Sequence, residues 1–163
     1  MNKDLTLSSR QSMIISLKAV KDGTGGLSEH RLNMLKNANS VGKYRSYNLN
    51  TLTTNDIAYL TAFTGHEFAI LRGKHEDILF HGDQRHCHFI GNLAERLRNG
   101  SLKLYAHSHP AEDIPVPSMD DRKLLQEIHQ NTSLVVSATT GRVVEFSANM
   151  FEDLGGGCNV DFE

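Results

Sequence analysis

His107-Ser108-His109-Pro110, then Ala111 to Pro117 (AEDIPVP), then Ser118-Met119-Asp120-Asp121 is the segment from which the rest of the chain takes its meaning. It follows Leu102 to Tyr105, where Leu, Lys, Leu and Tyr alternate as they do on a half-buried strand. Side chains two apart on a strand share a face, so His107 and His109 point the same way. A carboxylate from the next element can complete a three-ligand cluster, and three protein ligands with one open position make up a catalytic zinc site. All three prolines of the chain, Pro110, Pro115 and Pro117, stand between the second histidine and Ser118. Proline fixes φ and cannot continue a helix or a central strand, so the connection reads as a stiff loop.

Outward from this segment the expected elements alternate in type. Gln11 to Val20 reads as a helix, a glycine-rich break follows, and Ser28 caps a second helix through about Asn37. The polar run from Asn39 to Asn50 is expected to be loop with one strand. Thr54 or Asn55 caps a short helix carrying Ile57 and Leu60, which Gly65 ends. Phe68 to Leu71 and Asp77 to Phe80 read as paired strands, Asn92 to Leu97 as a helix, and Leu102 to His107 as a strand. Asp120 to Gln130 reads as a helix, and Ser133 to Ser137 with Val143 to Phe146 as a hairpin. Helices mixed with hairpin strands give an α+β or mixed α/β fold: a central β-sheet flanked by helices.

Three regions are expected. Residues 1 to 50 form an N-terminal helical appendage that tunes substrate access, 51 to 150 form the core, and 151 to 163, Gly-rich and acidic, form a flexible tail. The chain of 163 residues suits one domain with a real core. No apolar run is long enough to span a bilayer, and no secretory signal pattern opens the chain. Two distant cysteines, Cys87 and Cys158, form no disulfide framework, so a cytoplasmic location is expected. A net charge of −2 gives no footprint for DNA or RNA.

The His-x-His-Pro, loop, Pro-Ser-x-x-Asp arrangement resembles that of the JAMM metallopeptidases, also called MPN-plus or JAB domains, in their bacterial or phage-associated form. The resemblance covers about Thr54 to Ser147. It implies a JAB/MPN-like, cytidine-deaminase-like fold and a zinc-dependent peptidase or isopeptidase acting through a metal-activated water. On this resemblance His107, His109 and Asp121 hold Zn2+, Glu67 is the general base, and Ser118 hydrogen-bonds the oxyanion. Many members place the serine eight residues after the second histidine and the aspartate eleven; here Ser118 and Asp121 stand nine and twelve after His109. Asp120 has the unshifted spacing, whereas Asp121 keeps Ser-x-x-Asp intact and stands three, four and seven residues before Leu124, Leu125 and Ile128. Glu76, which also opens an apolar strand, is the alternative to Glu67. The implied substrate is a protein or peptide, such as a ubiquitin-like tail or an effector or toxin polypeptide, laid as an added strand on a sheet edge. Other readings are a non-catalytic MPN-type binding module and a JAB-type accessory protein linked to DNA. His81, His86, Cys87 and His88 form a second cluster of metal-ligating residue types.

Overall fold

A computed structural model describes residues 8–149. Their element order is α1 (Ser9–Asp22), α2 (Glu29–Asn37), β1 (Tyr44–Asn48), α3 (Thr54–Thr64), β2 (Phe68–Gly73), β3 (Glu76–His81), α4 (Gly91–Arg98), β4 (Leu102–His109), α5 (Met119–Glu127), β5 (Thr132–Ser137) and β6 (Val143–Ser147). The fold is mixed α/β: a six-stranded, mostly antiparallel sheet with five helices. Its strand order is β1-β3-β2-β4-β5-β6, with β4 and β5 as the parallel pair. The expected flexible tail, 151 to 163, lies outside the described residues. Among the described residues, no helix is long and apolar enough to cross a membrane.

Local chemistry sets the helix ends. Ser8, Thr53 and Ser118 each accept the N–H three residues on, and the third-position side chain returns a bond to the cap backbone. The cap of α3 is thus Thr53, one or two residues before the expected Thr54 or Asn55, because Asp56 at the third position completes the reciprocal pair. Gly23 and Gly65 close α1 and α3 in the left-handed conformation that glycine adopts without a Cβ clash.

The sheet is covered on both faces, so its inner strands read as near-continuous apolar runs. Phe68, Ile70, Leu79 and Val136 pack on one side with Ile57 and Leu60 of α3. Ala69, Leu71, Phe80 and Val135 pack on the other with Leu93 and Leu97 of α4, Leu125 of α5 and Ile128, which caps its C-terminus. Residues 1 to 50, expected as an appendage, contribute Leu17, Val20, Leu27 and Met34 to the first of these cores. They also supply β1, which pairs antiparallel with β3.

One irregularity aims the motif. Ile70 pairs with Ala106 and Leu71 with Leu104, so Tyr105 is an extra residue on β4. Leu102 and Leu104 face α4 and α5, and strict alternation would then send His107 and His109 to the opposite face. The bulge at Tyr105 reverses the phase, putting Tyr105 and Ala106 on the α3 side and returning His107 to the α5 side, against the Phe146 ring.

Candidate metal centre

The C-terminal end of β4, the start of β2 and the N-terminus of α5 meet at one point. Ala69 pairs with His107 in the antiparallel β2–β4 ladder, which sets Glu67 beside His109. Ser108, pointing the other way, fastens the two strands. Its hydroxyl accepts from Phe68 N at 2.9 Å, lies 3.2 Å from Phe68 O and 2.5 Å from Thr61 Oγ1 of α3. The Glu67 backbone is clamped from the other side, donating to Asp83 O and accepting from Gly82 N, each at 2.7 Å.

Glu67, His107 and His109 are buried, and their ligand atoms lie within 4.8 Å of one another, a cluster that can hold a metal ion. A tighter triangle shares its two histidines and adds Asp121. His107 Nε2 is 3.2 Å from His109 Nε2, and Asp121 Oδ2 is 3.1 Å from the former and 3.3 Å from the latter. Tetrahedral ligands at zinc–nitrogen and zinc–oxygen bond lengths stand roughly 3.3 Å apart, so these three atoms already sit at coordination spacing. Glu67 Oε2 is farther, 4.0 Å from His109 Nε2.

The first turn of α5 delivers that carboxylate. Ser118 Oγ accepts from Asp121 N at 3.0 Å, and Ser118 N donates at 2.8 Å to Asp121 Oδ2, the same oxygen that faces both histidines. Ser118 itself is solvent-exposed and borders a cleft with Glu67 and His109. Asp120 points into solvent on the rim of a neighbouring cleft. Glu76 stands at the far end of β3, bonded to Arg96 at 2.8 Å and Ser46 at 2.7 Å.

The ionisable groups of the cluster shift one another strongly. Burial pushes the Glu67 carboxyl up to about 8; His109 opposes this, and Asp121, Asp83 and Glu112 add to it. Burial disfavours a charged His109, but hydrogen bonds to Asp121 and Glu112 override it and push the ring up to about 9. Burial would raise Asp121, yet the bonds from His107 and His109 hold it well below the usual carboxylate range. Carboxyl groups gathered around two imidazoles make a site that could hold a cation.

Sequence reasoning missed Glu112. Its Oε1 lies 2.9 Å from His109 Nδ1, and since a carboxylate only accepts, Nδ1 carries the hydrogen of this bond. The loop carrying it is tied to the β5–β6 turn: Ser137 Oγ donates to Glu112 O, and Thr140 Oγ1 donates to Asp113 O at 2.5 Å. An acidic residue three after a histidine was the available signal, but only the folded-back loop gives it meaning. His107 has no such support; its Nδ1 is buried without a hydrogen-bond partner among the described residues.

The second cluster does not assemble. His81 is buried, its Nδ1 donating to Ala38 O at 2.7 Å and its Nε2 2.8 Å from His66 Nδ1. His86 pairs with Asp83 at 3.1 Å, and burial raises the Cys87 thiol well above its ordinary value. Among the described residues, no group with metal-ligand spacing includes His81, His86, Cys87 or His88. No family model, curated protein or solved structure matches this chain.

Proposed function

We propose that this chain is a zinc-dependent peptidase or isopeptidase with a JAB/MPN-like fold, in which His107, His109 and Asp121 hold the metal. The observation that carries the reading is the triangle of His107 Nε2, His109 Nε2 and Asp121 Oδ2 at 3.1 to 3.3 Å, with Glu67 set back behind it. A bound zinc would polarise the scissile carbonyl and lower the pKa of its water to about 7. Glu67, buried beside His109, accepts the attacking water's proton and passes it to the leaving amine. The Ser118 hydroxyl keeps its own hydrogen while its oxygen caps α5, so it is free to donate to the developing oxyanion. Glu112 fixes the ring and tautomer of His109.

Glu67→Gln separates chemistry from metal binding. The variant is expected to keep its zinc and its melting temperature and to lose turnover by about 10²–10⁴-fold, because an amide cannot take the proton. Full activity in Glu67→Gln sinks the assigned base. Hydrolysis of peptide and isopeptide substrates by the zinc-loaded protein, followed by mass spectrometry, is the assay.

A further inference from the structure

A cleft of about 390 Å³ opens directly beside the metal cluster, and Glu67, His107 and Asp121 form its inner end. From there it follows α5 for six residues to Glu127, about 9 Å of helix rise. Its walls are Phe89, Ala94, Leu97, Leu104, Leu124 and Ile128. The outer end is closed by an ion pair between Arg98 of α4 and Glu127 of α5, 3.0 Å apart. The cleft is therefore a mainly apolar slot with one end at the candidate metal cluster, and His86, Cys87, His88 and Asp120 complete its lining. Val116, which lines the adjoining cleft with Glu67 and His109, stands 61% exposed, so an apolar side chain borders the centre from that side as well.

Resting on the peptidase reading above, we propose that this slot is a specificity pocket. It receives a bulky apolar side chain, such as leucine, methionine or phenylalanine, from the residue adjoining the scissile bond. A side chain entering from the reacting centre exchanges water for the six apolar walls, which favours it over glycine by about tenfold or more. A glycine at that position leaves the walls facing water and contributes nothing to positioning the carbonyl. The substrate class is thus a polypeptide with a large apolar residue at the cleavage point, and a tail ending in glycines is a poor substrate.

The test uses zinc-loaded full-length protein with leucine hydroxamate and glycine hydroxamate, two metal-directed probes that differ in the side chain offered to the slot. Calorimetry is expected to show the leucine probe bound at least about tenfold more tightly. Ala94→Met fills the slot and Phe89→Ala removes a wall. Each should reduce the difference to less than about threefold while zinc content stays the same, and the loop variant Phe89→Ala carries the test if Ala94→Met does not fold. Equal affinities in the parent protein, with zinc bound, overturn the pocket and leave the metal site standing. A leucine preference without cleavage of any peptide keeps the pocket and overturns the peptidase reading. A chain that takes up no zinc overturns both.

Discussion

At the level of single residues, the two imidazoles are held unequally. His109 is gripped from behind by Glu112 at 2.9 Å, whereas His107 Nδ1 has no partner among the described residues. Outer partners of this kind raise ligand basicity and fix ring orientation, and their loss commonly weakens metal affinity by about 10–100-fold. Glu112→Ala is therefore expected to lose zinc to a competing chelator at a concentration about 10–100-fold lower than the parent does, with Glu112→Asp partly restoring retention. Unchanged retention in Glu112→Ala would leave Glu112 as a loop residue only. The same scale shows what sequence could and could not reveal. Two histidines one residue apart are visible as a pair on any strand, and Ser118 with Asp121 is visible as a cap. Glu112 becomes a partner only when Ser137 and Thr140 pull its loop back over β4, a contact between positions some 25 residues apart.

At the level of the elements, placement depends on a few backbone features. Gly82 ends β3 where a Cβ would lie 2.9 Å from Glu67 O, 2.8 Å from His86 O and 2.7 Å from Cys87 Sγ. Gly82→Ala must therefore displace the strand start that carries Glu67, and turnover is expected to fall by more than zinc content does. The bulge at Tyr105 is braced by Arg72, whose guanidinium lies 3.7 Å from the ring centre and pairs with Asp77 at 2.8 Å. Asp77 is fully buried and also accepts from Leu52 N at 3.1 Å. Burial alone would raise its carboxyl, but the Arg72 and backbone bonds hold it below the usual range. The sign follows from linkage: this stabilisation is present above the unfolded value near pH 4 and disappears as pH falls through the depressed folded value. Asp77→Asn should cost about 2–3 kcal/mol at pH 7, less than a fully buried pair because Arg72 is partly exposed. Its urea-denaturation stability should also fall less steeply than the parent's below pH 4. The bulge was not legible in the alternation of Leu102 to His107, because an extra residue announces itself only through its partner strand.

Across the whole molecule, the N-terminal segment and the metal centre are mechanically linked. Leu17 and Met34 are almost fully buried against α3 and β2, and Arg10 Nη1 donates at 2.7 Å to Thr140 O in the turn that holds the Glu112 loop. Leu17→Ala is expected to cost about 2–5 kcal/mol in urea denaturation. Deleting residues 1–40 strips Leu17, Val20, Leu27 and Met34 from a core that continues into α3, so the truncated chain should lose its cooperative thermal transition. A truncated chain that melts cooperatively and binds zinc would mean that the segment only covers the core. The helices of this segment could be anticipated from Ser28 and the glycine-rich break. Their membership in the core could not, because leucines at helical spacing look the same whether they pack on their own domain or on a partner. The central claim concerns one metal held by His107, His109 and Asp121, and elemental analysis of purified parent, Asp120→Ala and Asp121→Ala protein tests it most directly. The account requires about one zinc per chain in the parent and in Asp120→Ala, and little or none in Asp121→Ala. Zinc retained by Asp121→Ala and lost from Asp120→Ala, or absent from all three, would contradict it.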